Sequence, residues 1–111
     1  MQPNTAIHAA DLALTHEPVP AGQSVSGDPS TAATQLTDFG GHQIGVWEMS
    51  VGTMTDVEAD EVFVVLSGSA LVEFADGSPA LQLRAGDIGR LAAGTATTWT
   101  VTETLRKIYL T

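Results

Sequence analysis

No residue of this chain is a cysteine. That excludes a disulfide framework, a thiol nucleophile and a thiolate metal site. Basic side chains are almost as scarce. Four Lys and Arg stand against thirteen Asp and Glu, giving a formal net charge of −9. Residues 1–83 contain none of the four bases and eleven of the acids. Such a surface repels phosphate backbones and anionic headgroups, so neither nucleic acid nor a membrane is expected as a partner. Long apolar runs are also missing. The longest is Val62 to Leu66, far short of a bilayer span, and no basic stretch followed by an apolar one opens the chain. A cytoplasmic location is the expectation. There is no Gly-x-Ser-x-Gly elbow and no glycine-rich loop leading into a helix, which argues against a hydrolase triad and against phosphate binding by that route. The three histidines, His8, His16 and His42, have no ligand spacing.

What remains is enough for one domain. The chain has 111 residues and is 43% hydrophobic, so it can bury a core without staples. Residues 1–35 differ from the rest. They are rich in Ala, Ser, Thr and Pro, hold four of the five prolines, and include the turn signals "HEPVPAG" and "SGDPST". They read as an irregular arm lying on the body of the protein, with at most one short edge strand. "HAADLAL" could form a helical turn.

Residues 36–111 alternate strand and turn. "HQIGVWEMSV", "EVFVVL", "ALVEF", "ALQLR", "IGRL", "TTWTV" and "LRKIYL" are separated by Gly52, Ser67-Gly68, Asp76-Gly77, Gly86-Asp87 and "AAGT". Short β-branched segments broken at regular intervals by glycine indicate an all-β, antiparallel sandwich or barrel. Period two puts Glu61, Phe63 and Val65 on one face, and Val62, Val64 and Leu66 on the other. Both faces are apolar. One meets the core, and the other needs the arm or a second subunit to cover it, so a homodimer is expected.

"GVWEMSVG", "DEVFVVLSGSALVEFADG", "LRAGDIG", a Trp-Thr-Val stretch and "LRKIYL" together resemble the small single-domain cupins of the ethanolamine-utilisation-Q and ureidoglycine-aminohydrolase-like type. The resemblance covers roughly residues 22–111. It implies an antiparallel jelly-roll barrel, usually dimeric, with a pocket inside its wide end. Many cupins hold a divalent metal there through two motifs. Gly52, Glu61 and Gly68 fit the frame of the first, and counting from Gly52 puts Glu58 and Asp60 at its histidine positions. Gly86 and Gly94 fit the second, where Ala92 replaces a proline and Thr97 a histidine. The imidazole ligands are therefore absent, and no metal or other cofactor is expected.

The residues set out a pocket of Glu61, Phe63, Thr97, Trp99, Lys107 and Tyr109. If the Phe63 face is inward, Glu61 is a carboxylate in an apolar cavity, and its pKa should rise unless a cation pairs with it. Lys107 and Tyr109 share a face of the last strand. That face is either solvent or, as the resemblance implies, interior, where Lys107 could neutralise Glu61. Trp47 reads as core, with Met49 and Val51 on its face. The acidic run "DVEADE", Asp56 to Glu61, is either a weak hard-cation site or a charged loop. Three functions follow: binding of a small polar metabolite without a transition metal, an enzyme using Glu61 with Tyr109 or Lys107, or a structural dimer with a filled barrel. A binding site would take a small-molecule ligand, cationic or anionic, and the sequence leaves that choice open.

Overall fold

The computed structural model describes residues 1–111. A 3-10 turn at Ala9–Asp11 precedes nine strands: β1 (Glu17–Pro18), β2 (Ser24–Ser26), β3 (Ser30–Phe39), β4 (His42–Met49), β5 (Gly52–Val57), β6 (Glu61–Phe74), β7 (Leu81–Arg84), β8 (Ile88–Leu91) and β9 (Ala96–Leu110). All pairings are antiparallel.

Two long strands organise the barrel. β6 and β9 pair along nearly their whole lengths, from Val62↔Leu110 to Phe74↔Thr97. Each belongs to two sheets. The first half of β6 and the end of β9 sit in the order β1-β3-β4-β9-β6-β8, and their other halves sit in β2-β5-β9-β6-β7. The register slips between Val65 and Ala70, where both strands bend. Gly68 takes φ +88° there, and a Cβ at that position would clash with the backbone of Thr104 and Leu105. Folding one ladder over itself in this way gives the antiparallel jelly-roll barrel.

The sequence pattern splits this ladder differently. Glycine and serine at 67–68 separate "EVFVVL" from "ALVEF", yet the structure runs them together through a bulge. "TTWTV" and "LRKIYL" merge likewise. The arm is also more regular than expected. Three strands start before residue 36, and β3 runs across the 35/36 boundary. Its sequence, "STAATQLTDF", has small and polar residues where a strand pattern would show large ones.

The core lies between the sheets. Phe63, Val65, Val72, Trp99, Val101, Met49 and Leu105 are all essentially without exposure. One layer is built of unequal sizes. Across four strands the order Gly45, Tyr109, Phe63, Gly89 alternates small, large, large, small. Any side chain at Gly89 would run into the Phe63 ring, and any at Gly45 into the Tyr109 phenol. The glycines make room for the rings.

On the outward face the arm is tied down by charge. The Arg106 guanidinium donates to the carbonyls of Ala9 (2.9 Å) and Leu12 (2.8 Å) and to Glu48 Oε1 (3.0 Å). His16 bonds Glu48 Oε2 at 2.6 Å and Ser30 Oγ at 2.8 Å. Burial alone would raise the Glu48 carboxyl. The hydrogen bonds and charges of His16 and Arg106 outweigh it and hold Glu48 below its ordinary 4.5. Farther along this face, Ile88 and Val62 remain exposed.

Candidate functional site

The site is built on three neighbouring strands of one sheet and two of the other. β6 begins at Glu61 and points it inward with Phe63. β9 presents Lys107 inward between Trp47 of β4 and Val65 of β6, its register partners. β9 and β5 bring Trp99 and Met54 from the second sheet as a facing pair.

Lys107 is the centre. It is 4% exposed, and its Nζ donates to Glu61 Oε2 at 2.9 Å. Three aromatic rings surround the ammonium. Its Nζ lies 4.7 Å from the centroid of Trp47, 4.8 Å from Phe63 and 4.9 Å from Trp99. Ring faces carry negative potential and attract a cation at this range. The rings also brace one another, with Trp99 5.5 Å from Trp47 and 6.3 Å from Phe63. A buried ammonium is expensive without such partners.

Beside the lysine opens a cavity of about 240 Å³, lined by Trp47, Met54, Asp56, Val57, Glu58, Ala59, Glu61, Trp99, Lys107 and Thr111. Its polar wall is acidic. Burial raises the Glu61 carboxyl and Lys107 lowers it, but the nearby charges of Glu58 and Asp56 raise it again, and the net shift is upward from 4.5. Asp56 is also raised, by burial first and by Glu58 second, against a hydrogen bond from the Val57 amide and the charge of Lys107. Glu58 is fixed by two neutral donors: its Oε2 accepts from Thr97 Oγ1 at 2.8 Å and from the Trp99 indole at 3.1 Å.

Each residue expected from the sequence has a definite place. Glu61, Trp99 and Lys107 line the cavity. Phe63 lies behind them with no exposure and reaches Lys107 through its ring. Thr97, 3% exposed, bonds Glu58 without lining the cavity. Tyr109 sits over Gly45, away from the lining. Burial, and then the charge of Glu61, raises its phenol above the ordinary 10.0.

Seven of the ten lining residues lie outside the expected pocket: Trp47, Met54, Thr111 and the stretch 56–59, whose acids read as a weak cation site or a charged loop. Trp47, read as core, is half-buried and walls the cavity. Val51, expected on its face, is exposed beyond the strand end. Asp56 and Met54 belong to β5, which the sequence reading passes over as turn and loop. The alternation Gly52, Met54, Asp56 on one face was the available signal. Asp60, by contrast, faces outward. It accepts from the Ala93 amide at 3.0 Å and lies 3.5 Å from Arg90.

This arrangement can be set beside known proteins. Residues 36–109 match the family described as the EutQ-like cupin domain. The chain belongs to that family. No curated protein matches it. Among solved structures, this cupin resembles a protein of unknown function from Pseudomonas syringae, with TM-score 0.76 and 24% identity over 91% of this chain and 45% of that one. It thus spans less than half the length of that protein. The EutQ protein of Clostridium difficile gives TM-score 0.71 and 14% identity over 95% and 83% of the two chains. A putative ethanolamine utilisation protein Q from Salmonella typhimurium gives 0.62 and 17% over 88% and 92%. At these identities the likeness shows a shared fold.

The donor set of this cupin does not fit a transition metal. Of the two first-motif positions that carry histidine in metal-binding cupins, one is Glu58, bound to Thr97 and Trp99, and the other is Asp60, at the surface. Glu61 is paired with an ammonium. No group of three or more His, Asp or Glu side chains is placed to hold an ion. Finally, no helix is long and apolar enough to cross a membrane.

Proposed function

We propose that this cupin binds a small polar metabolite in the cavity beside Lys107, without a transition metal. The observation that carries this reading is the cavity itself. Two indole rings, an ammonium and three carboxylates line it, in a volume suited to a molecule of a few heavy atoms. A filled barrel would leave no such space. A thermal-shift screen across small amines, acids, ureides and polyols tests it, because a ligand selective for the native state raises Tm. The reading expects at least one class to raise Tm in a saturable way, with the effect lost on filling the space by Ala59→Trp. Failure of every class would overturn it. Metal analysis of the purified protein is expected to find no stoichiometric transition metal.

A second reading rests on one contact. Glu61, a carboxyl raised by burial, touches Lys107, and such a pair could pass a proton to and from a bound substrate. Turnover of a compound found in the screen, abolished by Glu61→Gln, would favour it. We further propose that the chain pairs with a second copy through the exposed apolar face that includes Val62 and Ile88.

A further inference from the structure

We infer that the ligand of this cavity is a small organic cation rich in N–H donors, an alkylammonium or guanidinium compound, rather than an anion or a neutral polyol. The inference rests on the metabolite-binding reading and narrows it.

The charge of Lys107 is already spent. Its Nζ is bonded to Glu61, and the three rings stand around it at 4.7, 4.8 and 4.9 Å. An incoming carboxylate or phosphate that approached that ammonium would face Glu61, Glu58 and Asp56 together. Like charges in a partly buried space are strongly unfavourable. An anion therefore meets a net negative wall whose one basic group is already paired.

Acceptors, in contrast, are in excess. Asp56 Oδ1 takes the Val57 amide at 2.8 Å, Glu58 Oε2 takes Thr97 and Trp99, and Glu61 Oε2 takes Lys107. The second oxygen of each carboxylate accepts no hydrogen bond from the protein. All three residues line one cavity, and Lys107 is the only basic side chain among the lining residues. A ligand that completes this wall has to bring hydrogens and positive charge. The aromatic wall asks for the same thing. Trp47 and Trp99 already hold one ammonium, that of Lys107, at cation–π range.

The test uses three probes of one shape: 1,4-diaminobutane, butane-1,4-diol and butanedioate, titrated by calorimetry into the full chain. The expected result is saturable binding of the diamine, at least about tenfold tighter than the diol, with no binding of the dicarboxylate. A charge-assisted hydrogen bond carries roughly that factor. Asp56→Asn and Glu58→Gln should each weaken the diamine about tenfold, while Glu103→Gln, an exposed acid at the bend of β9 that does not line the cavity, should leave it unchanged. Raised salt should weaken the diamine in step. Thermal unfolding of each variant establishes that it is folded. Tighter binding of the diol or the dicarboxylate would overturn the cation inference and leave the cavity reading standing. Diamine binding indifferent to Asp56→Asn and Glu58→Gln would place the amine elsewhere and also overturn it. Should none of the three probes bind while the wider screen yields a neutral or acidic ligand, the inference fails alone. If no compound of any class binds, both readings fail.

Discussion

Replacing Lys107 by Met is the most informative single change. Met keeps the length and apolar stem of the side chain, so the volume between Trp47, Phe63 and Trp99 stays filled. What goes is the ammonium. Glu61, whose side chain is 11% exposed, then loses its cation at 2.9 Å. Breaking a buried pair from one side costs about 3–5 kcal/mol, because the remaining charge is stranded. Glu61 can escape part of that cost by taking up a proton. Its native-state carboxyl is already raised above the ordinary 4.5, and Lys107 is what restrains it. The variant raises it further. A carboxyl raised in the folded state costs nothing below its unfolded value, and the penalty grows as pH climbs from there to the folded value. The deficit of Lys107→Met should therefore be small near the ordinary 4.5 and larger at about pH 8. Urea unfolding followed by the fluorescence of the two tryptophans measures it. The midpoint at the higher pH should fall by roughly 2 M, given a slope of about 1–3 kcal/mol per M. Adding Glu61→Gln should return at least about 2 kcal/mol of the loss, since no charge is then left behind. A deficit under about 1 kcal/mol at the higher pH, or one that ignores pH and the second substitution, would refute the reasoning.

Four further outcomes are expected. Arg106→Met should cost about 3 kcal/mol and release the arm, so that thermolysin cleaves near Leu12 and Leu14 far faster than in the parent chain. Glu48 is held below its ordinary 4.5, so its contribution is complete above that value and is lost as pH falls from there through the lowered folded value; melting curves from neutral to acid should show this loss, and Glu48→Gln should flatten it. Gly89→Ala should destabilise by about 1–3 kcal/mol by overpacking against Phe63, and Phe63→Leu in the same chain should relieve part of the strain, as read by Tm. Ile88→Glu should shift the sedimentation of a dimer towards the monomer at micromolar concentration, while the barrel keeps its far-ultraviolet spectrum.

The strands carrying large residues at period two were legible from sequence, because alternation and glycine turns are local signals. The face of Glu61, Phe63 and Val65 followed from counting alone, and the ammonium that meets Glu61 lies on one of the two faces left open for Lys107. What was not legible depends on partners far along the chain. β3 is half small polar residues and is a strand because β4 lies beside it. The β6 bulge at Gly68 joins two segments that the same glycine divides in the local pattern. Asp56 becomes part of the cavity only because β5 pairs with β9 opposite Thr97. Trp47 shares the face of Met49, which is wholly buried, but it lies two residues nearer the cavity and lines it. Alternation tells which side of a sheet a residue takes and is silent on depth along the barrel axis.

Arg106 and Lys107 are consecutive residues of β9, and Glu48 and Trp47 stand opposite them in β4. One peptide unit therefore separates the fastening of the arm outside from the ammonium seat inside. A pull that lifts residues 9–16 off the wall loads the same short piece of backbone that aims Lys107 at its rings. Wall and fastening share that peptide unit, so a change in the outer tie reaches the inner one without crossing to another strand.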